Sequence, residues 1–64
     1  MAVINGETIT VSGVTILDYL IDAGYRTDTV VVERNLSIVP KDRYSQTRIQ
    51  PEDTIEILNF VGGG

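Results

Sequence analysis

Cysteine, histidine and tryptophan are all missing from this 64-residue chain, and phenylalanine occurs once. Without cysteine, neither a disulfide framework nor thiolate ligation of zinc can reinforce the fold. Without histidine, the usual general base and the commonest metal ligand are gone. Tyr19, Tyr25 and Tyr44, and the serine and threonine hydroxyls, therefore have no obvious activating partner, and a nucleophilic enzyme is not indicated. Positive charge is also scarce: 5 basic against 9 acidic side chains give a net charge of −4. Such a surface repels nucleic-acid phosphates and anionic lipid headgroups, so protein partners are expected, with no nucleic acid and no membrane. The first residues, Met1 to Gly6, carry no basic region followed by an apolar run, and the expected location is cytoplasmic. A chain this short is one domain that buries about 60% of its unfolded surface. It has no room for an enclosed active site.

What is present is aliphatic and well punctuated. Asn5-Gly6 sits between Ala2-Val3-Ile4 and Glu7-Thr8-Ile9-Thr10-Val11, and suits the two positive φ angles of a type I′ turn. That register sets Ala2 opposite Ile9 and Ile4 opposite Glu7, placing Ala2, Ile4, Ile9 and Val11 on a core face. Thr15 then caps a helix of about two and a half turns at ~3.6 residues each, with Asp18 at the capping-box position. Ile16, Leu17, Leu20 and Ile21 recur at helical spacing, and Gly24 suits a left-handed C-terminal cap. Thr29 to Glu33 reads as a β-branched strand, Asn35-Leu36-Ser37 as a turn, and Ile38-Val39 as a short strand ended by Pro40. Lys41 to Tyr44 suits a single helical turn, with Tyr44 packing over the core. Gln50-Pro51-Glu52-Asp53 is a turn, and Thr54 to Val61 the last strand. Adjacent Glu52 and Asp53 are read as turn chemistry, and no metal site is indicated.

The order of elements predicts an α+β fold of the β-grasp, ubiquitin-like kind: a mixed four- to five-stranded sheet with one main helix packed on one face. A right-handed crossover returns the last strand beside the first, parallel to it. A ferredoxin-like alternative needs a second substantial helix, and the stretch between Pro40 and Pro51 has too few apolar residues for one. The expected division is a β-grasp domain over residues 1–61 and a flexible glycine tail over 62–64.

That tail is the least economical part of the sequence. As strand residues, Gly62, Gly63 and Gly64 would each cost roughly 0.5–1 kcal/mol relative to alanine. As a thread, they reach about 10 Å at ~3.3–3.6 Å per residue, and without Cβ atoms they pass where a side chain would clash. A carboxylate at the end of such a thread is an anion at neutral pH and a poor electrophile, so it must be activated before it acylates anything. Adenylation by an ATP-using partner supplies that activation.

The chain resembles the ThiS family, sulfur carriers of thiamin (thiazole) biosynthesis, over essentially its full length. The resemblance is carried by "VINGE" at the first hairpin, "VVVERNLSIVPK" in the middle and, most specifically, "DTIEILNFVGGG" at the end. It implies that Gly64 is adenylated by an E1-like, ThiF-type adenylyltransferase using ATP and Mg. Sulfur from a cysteine desulfurase or related donor then makes a C-terminal thiocarboxylate, which a ThiG-type thiazole synthase consumes. The protein itself is then not an enzyme, binds no cofactor, and carries covalent sulfur only. Gly63 matches the family's second tail position, and Gly62 adds slack. Many relatives have Asp-Gly-Asp where this chain has Pro51-Glu52-Asp53, which argues against positive φ at Glu52.

In the last strand Ile55 and Ile57 alternate with Leu58 and Phe60. If the isoleucines face the helix, Leu58 and Phe60 emerge on the other face, near Val3. With Val61 they form an expected partner-binding patch beside the tail, Gly62 and Gly63 entering the partner's active site. The free chain is expected to be a monomer. Other readings are a carrier for molybdopterin or another pathway, a ubiquitin-like modifier, and a plain β-grasp interaction module. Polymeric chains are improbable, because Lys41 is the only lysine.

Overall fold

The computed structural model describes residues 1–11 and 13–60. Asn5 and Gly6 take φ of 51° and 82°, turning strand β1 (Ala2–Ile4) back into β2 (Glu7–Ile9) with Ala2 opposite Ile9 and Ile4 opposite Glu7. This is the register the Asn-Gly dipeptide predicts.

Helix α1 (Ile16–Asp22) is seven residues long. The Thr15 hydroxyl accepts the Asp18 amide at 3.0 Å, as a capping threonine should. Two further amides of the first turn donate out of the helix, Ile16 N–H to the Thr47 carbonyl (2.9 Å) and Leu17 N–H to that of Tyr44 (3.1 Å). The helix start is thus tied to the loop before the last strand, which satisfies donors that would otherwise be orphaned. At the other end Gly24 has φ 85°, its amide bonds the Ile21 carbonyl, and the Tyr25 amide bonds that of Leu20. The two bonds form a Schellman cap, for which glycine is the favoured residue. One expectation fails: Ile21 is exposed, because a two-turn helix on a five-stranded sheet buries a stripe containing Ile16 and Leu20 and leaves its neighbour outside.

Strands β3 (Val30–Arg34) and β4 (Ser37–Val39) form a second tight hairpin, shifted by one residue from the expected strand. Its turn residues Asn35 and Leu36 both have positive φ, 52° and 72°. For leucine this conformation costs roughly 1–2 kcal/mol, yet the side chain is 93% exposed and gains nothing from packing. A single 3-10 turn (Lys41–Arg43) follows Pro40 and delivers Tyr44 into the core.

Strand β5 (Thr54–Asn59) is central in the order β2-β1-β5-β3-β4. It runs parallel to β1, pairing Thr54 with Val3 and Ile55 with Ile4, and antiparallel to β3, pairing Ile57 with Val32 and Leu58 with Val31. This is the mixed sheet of a β-grasp fold, with the expected parallel return of the last strand. The core holds Ala2, Ile4, Ile16, Leu20, Val30, Val32, Tyr44, Ile49, Ile55 and Ile57. Each aliphatic side chain fully withdrawn from water there contributes about 1.5–3 kcal/mol. Ile49 is a core residue that no periodic pattern reveals. It lies in a loop and is positioned by backbone bonds, its carbonyl accepting Gly13 N–H (2.9 Å) and its amide donating to the Val14 carbonyl (2.8 Å).

Candidate surface beside the C-terminal segment

Alternation along β5 sends Ile55 and Ile57 to the helix side and Glu56 and Leu58 to the opposite face, and Phe60 follows one residue past the end of the strand. Leu58 is 47% and Phe60 63% exposed, so two of the expected patch residues are open to solvent. The Phe60 amide still donates to the Thr29 carbonyl at 2.7 Å, which keeps this residue aligned with the sheet just past the end of β5. Val61, Gly62, Gly63 and Gly64 lie outside the described residues.

The neighbour expected for the patch is wrong. Val3 pairs with Thr54, four residues before Leu58, and the residue directly across from Leu58 is the half-buried Val31 of β3. Strand adjacency was readable from the order of elements, but register between β1 and β5 is set by tertiary contacts that no turn specifies. The same open face carries Glu33 directly opposite Glu56, and Ile38 of β4 opposite Glu33. Ile38 is exposed, as is Leu36 in the turn below it.

Two polar clusters fix the frame under this surface. The Asn5 carboxamide oxygen accepts the Ile57 amide at 2.7 Å, standing in for a strand where β1 has already ended. Its amide nitrogen donates to the Tyr25 hydroxyl at 3.3 Å. Asp53, 2% exposed, is the second centre. One carboxylate oxygen accepts from Arg34 Nε (2.8 Å) and the Gln50 amide (2.9 Å), the other from Asn35 Nδ2 (3.0 Å). Burial alone would raise its pKa, but the bonds from Arg34, Gln50 and Asn35 outweigh it and hold the carboxyl below its ordinary value. Asn35 in turn bonds Thr54 through both backbone and side chain. The expected turn at residues 50–53 is therefore present, and Glu52 is not among the residues with positive φ. Its function as a hub for β3 and β5 was not evident, since an acid in a turn usually bonds its own backbone.

Among the described residues no three His, Cys, Asp or Glu side chains come together to hold a metal ion, and no helix is long and apolar enough to cross a membrane.

The model of the ThiS family matches residues 2–64. The chain is 44% identical over 50 residues to the sulfur carrier protein ThiS of Bacillus subtilis, covering 78% of this chain and 76% of that one. It is 43% identical over 63 residues to a thiazole synthase of Paramagnetospirillum magneticum, covering 97% of this chain. The match spans only 19% of that synthase, so the chain is about a fifth of its length. A crystal structure of the thiamine biosynthesis protein ThiS from Geobacter metallireducens superposes with a TM-score of 0.78, covering 98% of this chain and 97% of that one at 24% identity. That likeness supports the fold.

Proposed function

The chain belongs to the ThiS family, and from that premise we propose that it is a sulfur carrier of thiamin biosynthesis, loaded at the Gly64 carboxyl group. The observation that carries the reading is the family match through residue 64 together with the Bacillus subtilis carrier, similar over most of both chains. Adenylation by a ThiF-type enzyme converts the carboxylate to an acyl adenylate with release of pyrophosphate. A persulfide sulfur held by a cysteine desulfurase or related donor displaces AMP, which leaves with one carboxyl oxygen. A second thiol cleaves the resulting acyl disulfide, releasing the donor as a disulfide, and the net change replaces one carboxyl oxygen by sulfur. ATP and Mg belong to the partner, and this chain contributes the acyl group and the surface that presents it. A ThiG-type thiazole synthase then takes the sulfur. The similarity to part of a thiazole synthase supports that pairing, since a segment like this chain joined to a synthase would meet it at high effective concentration.

The test is intact mass. Protein isolated from a host with the sulfur pathway is expected to contain a fraction in which one oxygen has become sulfur, located at Gly64 by fragmentation. Only unmodified chain, or lysine-linked conjugates, would refute the reading.

Leu58, Phe60 and Val61 dock both enzymes in turn on this reading. Phe60 sits at the junction of sheet and tail with most of its ring in water, where burial against a partner has the most to gain. Phe60→Ser is expected to weaken binding to each enzyme by about 2 kcal/mol or more, with an unfolding midpoint close to that of the parent. Unchanged affinity for both in titration calorimetry would remove the patch from the mechanism.

A further inference from the structure

The open face of the sheet contains an arrangement that the fold does not need. Glu33 and Glu56 are direct cross-strand partners on neighbouring strands, which places their Cβ atoms about 4.5–5.5 Å apart. Like charges so placed destabilise a sheet. None of the chain's five basic side chains relieves them. Arg26 donates to Asp28, Arg34 to Asp53, Lys41 to the Asp28 carbonyl, Arg43 to Gln46 and Arg48 to the Gly13 carbonyl. Around the two carboxylates stand Leu36, Ile38 and Leu58, all exposed. A shallow depression lined by Glu33, Asn35, Leu36, Thr54 and Glu56 lies between them.

We infer that this pair is the receptor for one arginine side chain projecting from the partner protein that docks on the open face, an inference that rests on the carrier reading. Charge complementarity selects the occupant: two adjacent carboxylates lack a cation, and a guanidinium offers five donors in a planar fork that can serve both at once. The aliphatic stem of the arginine lies along Leu36 and Ile38, whose exposure has no other use in the free domain. Both departures from local stability, the opposed glutamates and the leucine at positive φ, border the same depression. Sequences break local rules where a partner completes them. The pair also fixes register, because an apolar patch alone permits sliding and a desolvated charge does not.

The experiment compares the parent chain with Glu33→Gln/Glu56→Gln, and with Asp22→Asn/Glu52→Gln as a control that changes net charge equally elsewhere. Affinity for the intact adenylyltransferase is measured at low and at physiological salt, and each variant is melted alone. The Gln pair is expected to melt about 2–4 °C higher, because a repulsion is gone. It is expected to bind about tenfold or more weakly, because a charge-assisted contact is lost, with most of the salt dependence removed. The control should bind as the parent does. A Gln pair that binds as tightly as the parent with the same salt dependence, or a control that weakens equally, overturns this inference and leaves the carrier reading intact. A parent chain that fails to bind the enzyme overturns the carrier reading and this inference with it.

Discussion

Asp53→Ala is expected to remove most of the chain's net stability at room temperature. The substitution removes the acceptor for Arg34 Nε, the Gln50 amide and Asn35 Nδ2 together, inside a site that is 2% exposed. Breaking a buried ion pair costs about 3–5 kcal/mol, and the lower end applies here because part of Arg34 reaches water. A core of this size supplies only about 3–5 kcal/mol of net stability, so the loss consumes most of it. Urea unfolding followed by circular dichroism measures the effect. A midpoint equal to that of the parent would show that the network contributes nothing. Asp53→Asn keeps an acceptor and the shape, and should cost roughly half as much.

The same residue sets the acid limit. Its carboxyl ionises below the ordinary value of 3.8 in the folded state, so its contribution is fully present above that value. It is lost as pH falls through the lower, folded-state pKa, where the native carboxylate must also take a proton. Acid unfolding of the Asn variant should therefore be less steep than that of the parent in this range.

Deleting Gly64 is expected to lower thiazole formation at least about 100-fold in a reconstituted system with adenylyltransferase, sulfur donor and thiazole synthase. The shortened chain still ends in glycine, so its intrinsic chemistry is unchanged. What changes is reach, by ~3.3–3.6 Å, at a step where about 1 Å of misplacement costs roughly 100-fold in rate. Equal yield from both chains would refute the loading of Gly64. Stability should be unaltered, which separates this result from that of Asp53.

Much of the fold was legible because its signals are local. Asn5-Gly6 dictated a turn, Thr15 and Gly24 bounded the helix, and the β-branched run around Val30 to Val32 marked a buried strand. The open-face position of Leu58 followed from simple alternation. Less visible was Ile49, a lone apolar residue among polar ones whose burial depends on backbone bonds to residues 13 and 14. Leu36 was legible as part of a turn but not as a strained one, since the usual glycine signal is missing. The exposure of Ile21 depended on how wide a stripe the sheet could cover.

By itself, the sequence determined the elements, their order and the face each strand buries, because turn geometry, capping and alternation act between residues a few positions apart. It also carried the family resemblance in its final segment. Only the tertiary structure decided which residues meet: Asp53 with Arg34 and Asn35, Leu58 with Val31 rather than Val3, and Glu33 with Glu56. Those pairings depend on register between strands distant in the chain, and register is fixed by the packing of the whole core rather than by any one segment.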